Sequence, residues 1–540
     1  MPTLKASRLG IIQIKQARNE KGWSWSLDED DTCLVEASQV LEPHKTWYPG
    51  GPYANGISQG TWKRFLAGRQ PISAVAFKAY CQVLGLNWEE VVDRRNSKIA
   101  NTRQDWGEAI DTSIFYGRTA ELTQLEQWIA TENCRLVALL GMGGIGKTSL
   151  AVKLAEQIQP SFEYLIWRSL RHAPPVSDIL ADLIEFLSDG QVADCPSSPS
   201  GLVSQLIDEL QRKRCLLLLD DFETVMRGGE LAGTYREGYE GYGELIRRVG
   251  EERHQSSLVL ISREKPIEIA SLAGATLPIR VLKLKGLGFE DAKRILETKG
   301  FSHLKRGAQE LIHLYRGNPL ALKIMATTIQ EIFDGDIPQF LEQSTLIIGD
   351  ILPNILNQQF ERLSDLEKEI LYWLAIENQP ISLSELRENM KFSVSSLSKL
   401  LPALESLKRR SLLEKEQGTQ AREAIFAIEP VIVKYLTSQF IEQICKDIFA
   451  VAKNQSISQL GLLRSHALVK EQEADEIKEI QIRVLVKRVA DRLYMNLKGA
   501  NSMEQQLKQV LAKLKGTSPP AVGYASTNIL NLLAVIEGTS

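Results

Sequence analysis

The spacing of apolar residues changes several times along the chain, and each change marks a segment. Residues 1 to about 100 carry short helical patterns, and the polar stretch 101–115 reads as a linker. From about 116 to 285, apolar runs of strand length alternate with amphipathic stretches. The runs are 135–140, Tyr164–Ser169, Cys215–Leu219, Ser257–Ser262 and Ile279–Leu284. Such alternation predicts a parallel sheet covered by helices. Beyond 286 the strand signal nearly stops, and helical patterns fill 289–299, 306–316 and 319–333. A separate unit follows at about 355–440, and 441–515 is again helical. The segments 189–201 and 228–243 read as loops. No self-similarity with a period of 20–50 residues appears, which argues against a solenoid or propeller.

At the end of the first strand-like run stand Gly141, Met142, Gly143, Gly144, Ile145, Gly146, Lys147 and Thr148, followed by Ser149 and an Ala/Leu-rich helical pattern. This is a complete G-x-x-x-x-G-K-[ST] phosphate loop in a strand–loop–helix setting. Glycines let successive backbone N–H groups turn toward phosphate oxygens. Lys147 is expected to reach the β- and γ-phosphates, and Thr148 to hold Mg²⁺. The Cys215–Leu219 run ends in Asp220 and Asp221. Asp220 is a candidate Mg²⁺ ligand, and Asp221 a candidate for polarising the attacking water. Ser257–Ser262 is followed by Arg263, placed to face a γ-phosphate. Each has a plainer reading: an Asp-Asp turn and a surface arginine.

Composition narrows the classes. The 540 residues suggest three or four domains. A net charge of −3 gives no global pull toward nucleic acid or membrane. The six cysteines are scattered, without C-x-x-C or zinc spacing. The opening residues lack a signal-peptide core, and no apolar run reaches the ~20 residues that span a bilayer. A reduced, cytoplasmic setting and no membrane partner are expected.

The motifs together resemble the NB-ARC module of STAND-class signalling NTPases, of the cyanobacterial type. Phe115-Tyr116-Gly117-Arg118 resembles the motif preceding the phosphate loop, and the resemblance makes Gly117 and Arg118 nucleotide-holding residues. Phe162–Arg171 resembles the second-strand motif. Arg263 matches the sensor arginine. Gly317-Asn318-Pro319-Leu320-Ala321-Leu322 resembles the GLPLA motif, whose proline, here Pro319, lies on the adenine side. The resemblance implies ATP/ADP and Mg²⁺ as cofactors. It also implies a multidomain α/β P-loop NTPase: a helix-turn-helix-like helical domain at 1–100, the nucleotide-binding domain at 101–285, a helical domain at 286–350, a winged helix at 351–440 and a helical region at 441–540. In the winged helix, helices are expected at Asp365–Ile376, Ser382–Met390 and Ser395–Arg410, the last broken or restarted at Pro402. Where the family carries an MHD motif, this chain has Ile428-Glu429-Pro430-Val431. A carboxylate there repels phosphate unless a cation or water intervenes.

At the front, Ser58 is placed to cap a helix holding Thr61, Trp62, Lys63 and Arg64. The region resembles the late helices of repressor-type helix-turn-helix domains, and Lys63 and Arg64 are the nucleic-acid candidates. About 15 residues separate this helix from the one before, against the usual three or four. Acidic Asp28–Asp31 also disfavours a phosphate surface. At the back, Arg483, Lys487, Arg488, Arg492 and Lys498 make a basic helix, read first as a solvated face. Residues 523–533 resemble a phrase that precedes WD or pentapeptide repeats in relatives, and a form without such repeats is expected. Three functions stay open. The first is a slow-hydrolysing switch coupled to conformation or oligomerisation, with a homo-oligomer or a sensor or effector protein as partner. The second is a nucleotide-controlled DNA-binding regulator acting through residues 1–95. The third is a turnover ATPase serving a DNA or remodelling machine.

Overall fold

A computed structural model of the chain describes residues 3–23, 31–68, 70–92, 102–188, 196, 198–301, 307–343, 351–393, 396–417, 424–454, 460–497 and 500–537. Asp28–Asp30, most of the 189–201 loop, Ser395 and Lys498 fall outside them. The chain divides into two compact units, residues 1–105 with 155–165, and residues 106–154 with 166–540.

The first unit packs helices Arg8–Glu20, Thr32–Leu41, Gln59–Ala67 and Ala74–Val83, with strand Thr3–Leu4 pairing antiparallel to Ile72–Ser73. Its centre is aromatic. Trp62 lies 5.6 Å from Phe65 and 5.0 Å from Tyr80 between ring centroids. Ser58 caps its helix as expected. Its hydroxyl accepts from the Thr61 N–H, and the Thr61 hydroxyl accepts from the Ser58 N–H. The long connection 42–58 is anchored by side chains. Gly50 N–H and the Tyr53 hydroxyl donate to Asp31, and Ala54 N–H donates to Ser38. These bonds hold the Asp31 carboxyl below its usual range. Lys63 and Arg64 face solvent, because Trp62, Phe65 and Leu66 take the buried side of the helix.

The second unit is built on strands β1 (Leu136–Leu140), β2 (Tyr164–Ser169), β3 (Cys215–Asp220), β4 (Ser257–Ser262) and β5 (Ile279–Lys283). Their order is β2-β3-β4-β1-β5. β1 runs parallel to β4 and β5, and β3 parallel to β4. β1, β3 and β4 are buried along their whole length, as central strands covered on both faces must be. The carboxyl ends of β1, β3 and β4 therefore meet at one edge, where ligands of open α/β sheets sit. The fold is a parallel-sheet P-loop NTPase flanked by helical segments.

After the sheet come α1 (Pro319–Ile332), α2 (Ile351–Glu361) and α3 (Asp365–Glu377). Strand Ile381–Ser382 and helices α4 (Leu383–Asn389) and α5 (Leu397–Arg409) follow. Strands Glu414–Gln417 and Ala424–Ala427 join Ile381–Ser382 in a three-stranded antiparallel sheet. The expected break at Pro402 does not occur, and α5 runs unbroken through it. Pro402 is exposed, so its ring projects into solvent, and the buried Leu400, Ala403, Leu404 and Leu407 hold the helix on both sides. A single helix, α6 (Pro430–Asn454), then crosses residue 440. Helices α7 (Asp475–Gln481) and α8 (Lys487–Leu497) are joined by a π-helical turn at Ile482–Val486. Met142 of the phosphate loop belongs to the same apolar core as α1, α3, α5 and α6. No helix among the described residues is long and apolar enough to cross a membrane.

Candidate nucleotide site

The phosphate loop leaves β1 and enters helix Lys147–Ile158. Gly144 and Gly146 adopt φ of 76° and 94°, which L side chains rarely take. Gly144 also has no room: a Cβ would stand 2.7 Å from the Leu320 Cβ. That crowding reflects direct bonding of the α1 entry to the loop. Asn318 Nδ2 donates to the Gly143 carbonyl at 3.2 Å, and Leu320 N–H to the Gly144 carbonyl at 3.3 Å. The Asn318 Oδ1 caps α1 by accepting from Leu320 and Ala321 N–H, and Pro319 takes the first helical position, where a missing N–H costs nothing. Asn318 is 1% exposed.

Arg118 holds the loop from behind. It sits at φ 64°, is buried, and donates to the Ile145 carbonyl at 3.1 Å while pairing with Glu121 at 2.8 Å. Gly117, at φ 68°, lies tight against Asp291.

Lys147 donates to the carbonyls of Gly141 (2.9 Å) and Met142 (3.1 Å). Burial pushes its ammonium down to about 8, with Arg263 adding to the effect and Glu223, Asp220 and Asp221 opposing it. Asp220 closes β3 and hydrogen-bonds the Thr148 hydroxyl. Burial, then the neighbouring Asp221, pushes its carboxyl up to about 6. Asp221 takes φ 55° and pairs with the exposed Arg171 at 3.3 Å.

Glu223 is a residue the sequence reading missed. The short helical turn Phe222–Val225 folds it back under the end of β4. There it pairs with Arg263 Nε at 3.0 Å, accepts from the Arg263 N–H at 3.0 Å and from the Ser262 hydroxyl at 3.2 Å. A third acidic residue so soon after a strand ending in two was the available signal.

A cavity of about 300 Å³ lies over the loop. Among its lining residues are Gly143, Gly144, Gly146, Lys147, Thr148, Ser149, Asp220, Asp221, Arg263 and Pro319. Arg171, Glu223, Leu320 and Lys323 join them. The predicted site is thus gathered in one place, with Gly117, Arg118, Gly141, Met142 and Ile145 supporting it from outside the lining. Glu429 is not in the lining. Burial and Glu414 push its carboxyl up, against the pull of Arg316 and Lys283. Thr148 and Asp220 offer hard oxygen donors of the kind Mg²⁺ takes. No group of three or more metal-ligating side chains occurs among the described residues, so such an ion would need phosphate oxygens and water to complete its shell.

One residue beyond Arg263, the site meets a buried ion network. Glu264 (1% exposed side chain) binds Arg362 at 2.6 Å and Arg410 at 2.5 Å. Arg410, fully buried, also binds Glu367 at 3.1 Å and the Glu230 carbonyl at 2.6 Å. The backbone follows the same route, Lys265 N–H donating to the Arg409 carbonyl at 2.9 Å. The segment after β4 is therefore bonded to the ends of α2 and α5, and through Arg410 to α3.

Residues 118–227 match the NB-ARC domain family. Over 584 aligned residues the chain is 42% identical to a WD repeat-containing protein of Nostoc sp., covering 98% of this chain and 45% of that protein. The chain thus spans less than half of that relative, and the comparison gives no support to the expected lack of repeats. It is 24% identical over 261 residues to the disease resistance protein RRS1 of Arabidopsis thaliana, covering 44% of this chain and 18% of that one. Among solved structures it is similar to the Walker-type ATPase of Pyrococcus abyssi (TM-score 0.43, 15% identity, 60% of this chain and 96% of that one). It is also similar to a STAND protein with a tetratricopeptide repeat sensor from Pyrococcus horikoshii (TM-score 0.29, 16% identity, 81% and 60%). With a phosphate loop seated at the sheet edge and the family match running through it, residues 118–227 are similar to the NB-ARC domain and lie on a P-loop NTPase fold.

Proposed function

We propose that the chain is an ATP/ADP switch of the STAND kind, hydrolysing slowly and coupling the nucleotide's state to conformation or assembly. The observation that carries this reading is the adjacency of Arg263 and Glu264. Arg263 lines the cavity, paired to Glu223, while Glu264 anchors α2 and α5 through Arg362 and Arg410. A γ-phosphate competing with Glu223 for Arg263 would pull on the strand end that holds the network.

In this reading Lys147 exchanges its two backbone carbonyls for phosphate oxygens, and the loop N–H groups cradle the phosphates. Thr148 and Asp220 would hold Mg²⁺, which would neutralise charge on the phosphates. Asp221 orients water, and Pro319 borders the base. We read α3, α4 and α5 with their three-stranded sheet as the winged helix, and the domain limits of the sequence reading stand as part of the proposal. The partner is nucleotide first, then a second copy or a sensor or effector protein.

The test is native mass analysis of the full chain with ADP and with a non-hydrolysable ATP analogue. ATP-dependent assembly is expected. Unchanged mass and unchanged protease sensitivity in both states would overturn the coupling. Steady-state turnover near ~10 s⁻¹, a typical enzyme rate, would overturn the slow timer.

A DNA-binding regulator is the second reading, favoured by exposed Lys63 and Arg64 on a capped helix. It requires salt-sensitive duplex binding that falls when both are replaced by Ala. Anisotropy showing no such binding at low salt removes it.

A further inference from the structure

A cavity of about 380 Å³ lies where the end of α3, one face of α6 and the α7–α8 stretch meet. It shares no lining residue with the nucleotide cavity. We propose that it binds a small organic anion with an apolar body.

The walls are set by helical spacing. Pro430, Val433, Lys434 and Thr437 on α6 fall on one face, and a stripe with the same three-and-four spacing runs from Ile477 to Arg488. The π-turn at Ile482–Val486 lies within that stripe. Such turns are frequent at functional sites, because the extra residue re-aims side chains. Apolar side chains make most of the wall, and the volume is at the lower end of the ~300–1,000 Å³ usual for small-molecule sites.

Three of the polar groups at the wall are donors in want of an acceptor: Lys434, Arg488 and the Gln481 amide nitrogen. Lys434 and Arg488 are part-buried at the cavity and form no hydrogen bond or ion pair among the described residues. Burial, and then Arg488, push the Lys434 ammonium down to about 8, while Arg488 has only the longer-range pull of Asp491. Gln481 is 3% exposed, and its amide nitrogen has no partner. Its Oε1 is taken, accepting from the Lys470 N–H at 3.0 Å. The acidic residue at this wall, Glu377, is already neutralised, by Lys470 at 2.8 Å and a hydrogen bond from Asn389 at 2.6 Å. Two uncompensated cations and a free amide beside apolar walls are costly in a ligand-free protein. They match a ligand bearing one anionic head on an apolar body, since such a head supplies the missing acceptors.

Decanoate and the aromatic sulfonate 8-anilinonaphthalene-1-sulfonate are suitable probes, with decan-1-ol as the uncharged control, all on the full chain. One saturable site is expected, with decanol at least about tenfold weaker than decanoate. Lys434→Met and Arg488→Met should each weaken decanoate by about tenfold or more and leave fluorescent ADP binding unchanged. Lys434→Met should also raise the urea midpoint of the ligand-free chain, because it removes an unpaired buried charge. A lysine with a merely structural role would lower it. Equal binding of decanoate and decanol, insensitivity to both substitutions, or no saturable binding of either anion by about 1 mM would overturn the proposal.

Discussion

Arg410→Met isolates the contact between the end of β4 and the helices that follow the sheet. Methionine keeps most of the buried aliphatic volume and removes the guanidinium. Three interactions go: those to Glu264, Glu367 and the Glu230 carbonyl. The carboxylates left behind are not wholly stranded. Glu264 keeps Arg362, and Glu367 keeps hydrogen bonds from Ser406 (2.6 Å) and from Ser364 N–H (2.8 Å). Breaking a buried pair by removing one partner costs roughly 3–5 kcal/mol. The remaining partners place this case near the lower end, about 3 kcal/mol, which is about a hundredfold in an equilibrium constant. The bonds cross from β4 and the 226–232 segment to α2, α3 and α5, so the loss should appear first as separation of these elements. Urea unfolding and limited proteolysis read it, with Glu264→Gln completing a double-mutant cycle. The expected coupling between Arg410 and Glu264 is about 1–3 kcal/mol. A loss under about 1 kcal/mol for Arg410→Met, or strict additivity with Glu264→Gln, would show that the network does not hold these elements together.

Proton linkage follows from the two shifted groups of the nucleotide site. Asp220, raised from 3.8 to about 6, stabilises the ligand-free fold only in its protonated form, a contribution full below pH 3.8 and lost as pH rises through about 6. Lys147, lowered from 10.5 to about 8, contributes stability above pH 10.5 that is lost as pH falls through about 8. Phosphates restore the ammonium, so ATP binding near pH 8.5 should take up a proton. Calorimetry in two buffers of different ionisation enthalpy measures it, and identical heats would contradict the assignment of Lys147. Gly144→Ala forces a Cβ to 2.7 Å from Leu320 at a positive φ, whereas Gly229→Ala, at φ 81°, meets nothing within 4 Å. The first should cost about 2–4 kcal/mol and weaken ADP binding, the second only about 1–2 kcal/mol, and similar urea midpoints would show that the contact yields. Arg263→Ala should retain ADP binding and lose the difference between ADP and ATP in assembly, and an unchanged difference in native mass would remove its sensor role.

How much of this was legible in the sequence depends on the distance over which each signal acts. The phosphate loop was legible because its constraint is local: glycines where φ is positive, a lysine and threonine at the helix start. β1, β3 and β4 stood out as continuous apolar runs because they are buried on both faces. Asn318 was passed over for Pro319 beside it, since its value comes from a loop 175 residues away. Pro402 was misjudged because a rule for helix interiors ignores an exposed position held by buried neighbours on either side. The Glu264–Arg410 bond joins residues 146 apart in sequence and leaves no periodic trace.

In the proposed switch, the adjacency of Arg263 and Glu264 would let sensing and anchoring work without a long relay. Arg263 and Glu264 leave β4 in a bend, and their side chains turn to different surfaces. Arg263 serves the cavity and Glu264 the buried network. Their register is fixed by β4, whose Ser262 pairs with Leu140 just before the phosphate loop. A displacement of Arg263 toward phosphate must therefore either rotate the strand end or strain the Glu264 bonds. Glu223 opposes the first, since it grips both the side chain and the N–H of Arg263 and the hydroxyl of Ser262. Under the proposed switch, the arrangement would be stiff while Glu223 holds and would yield once phosphate replaced it, which is the property a two-state element needs.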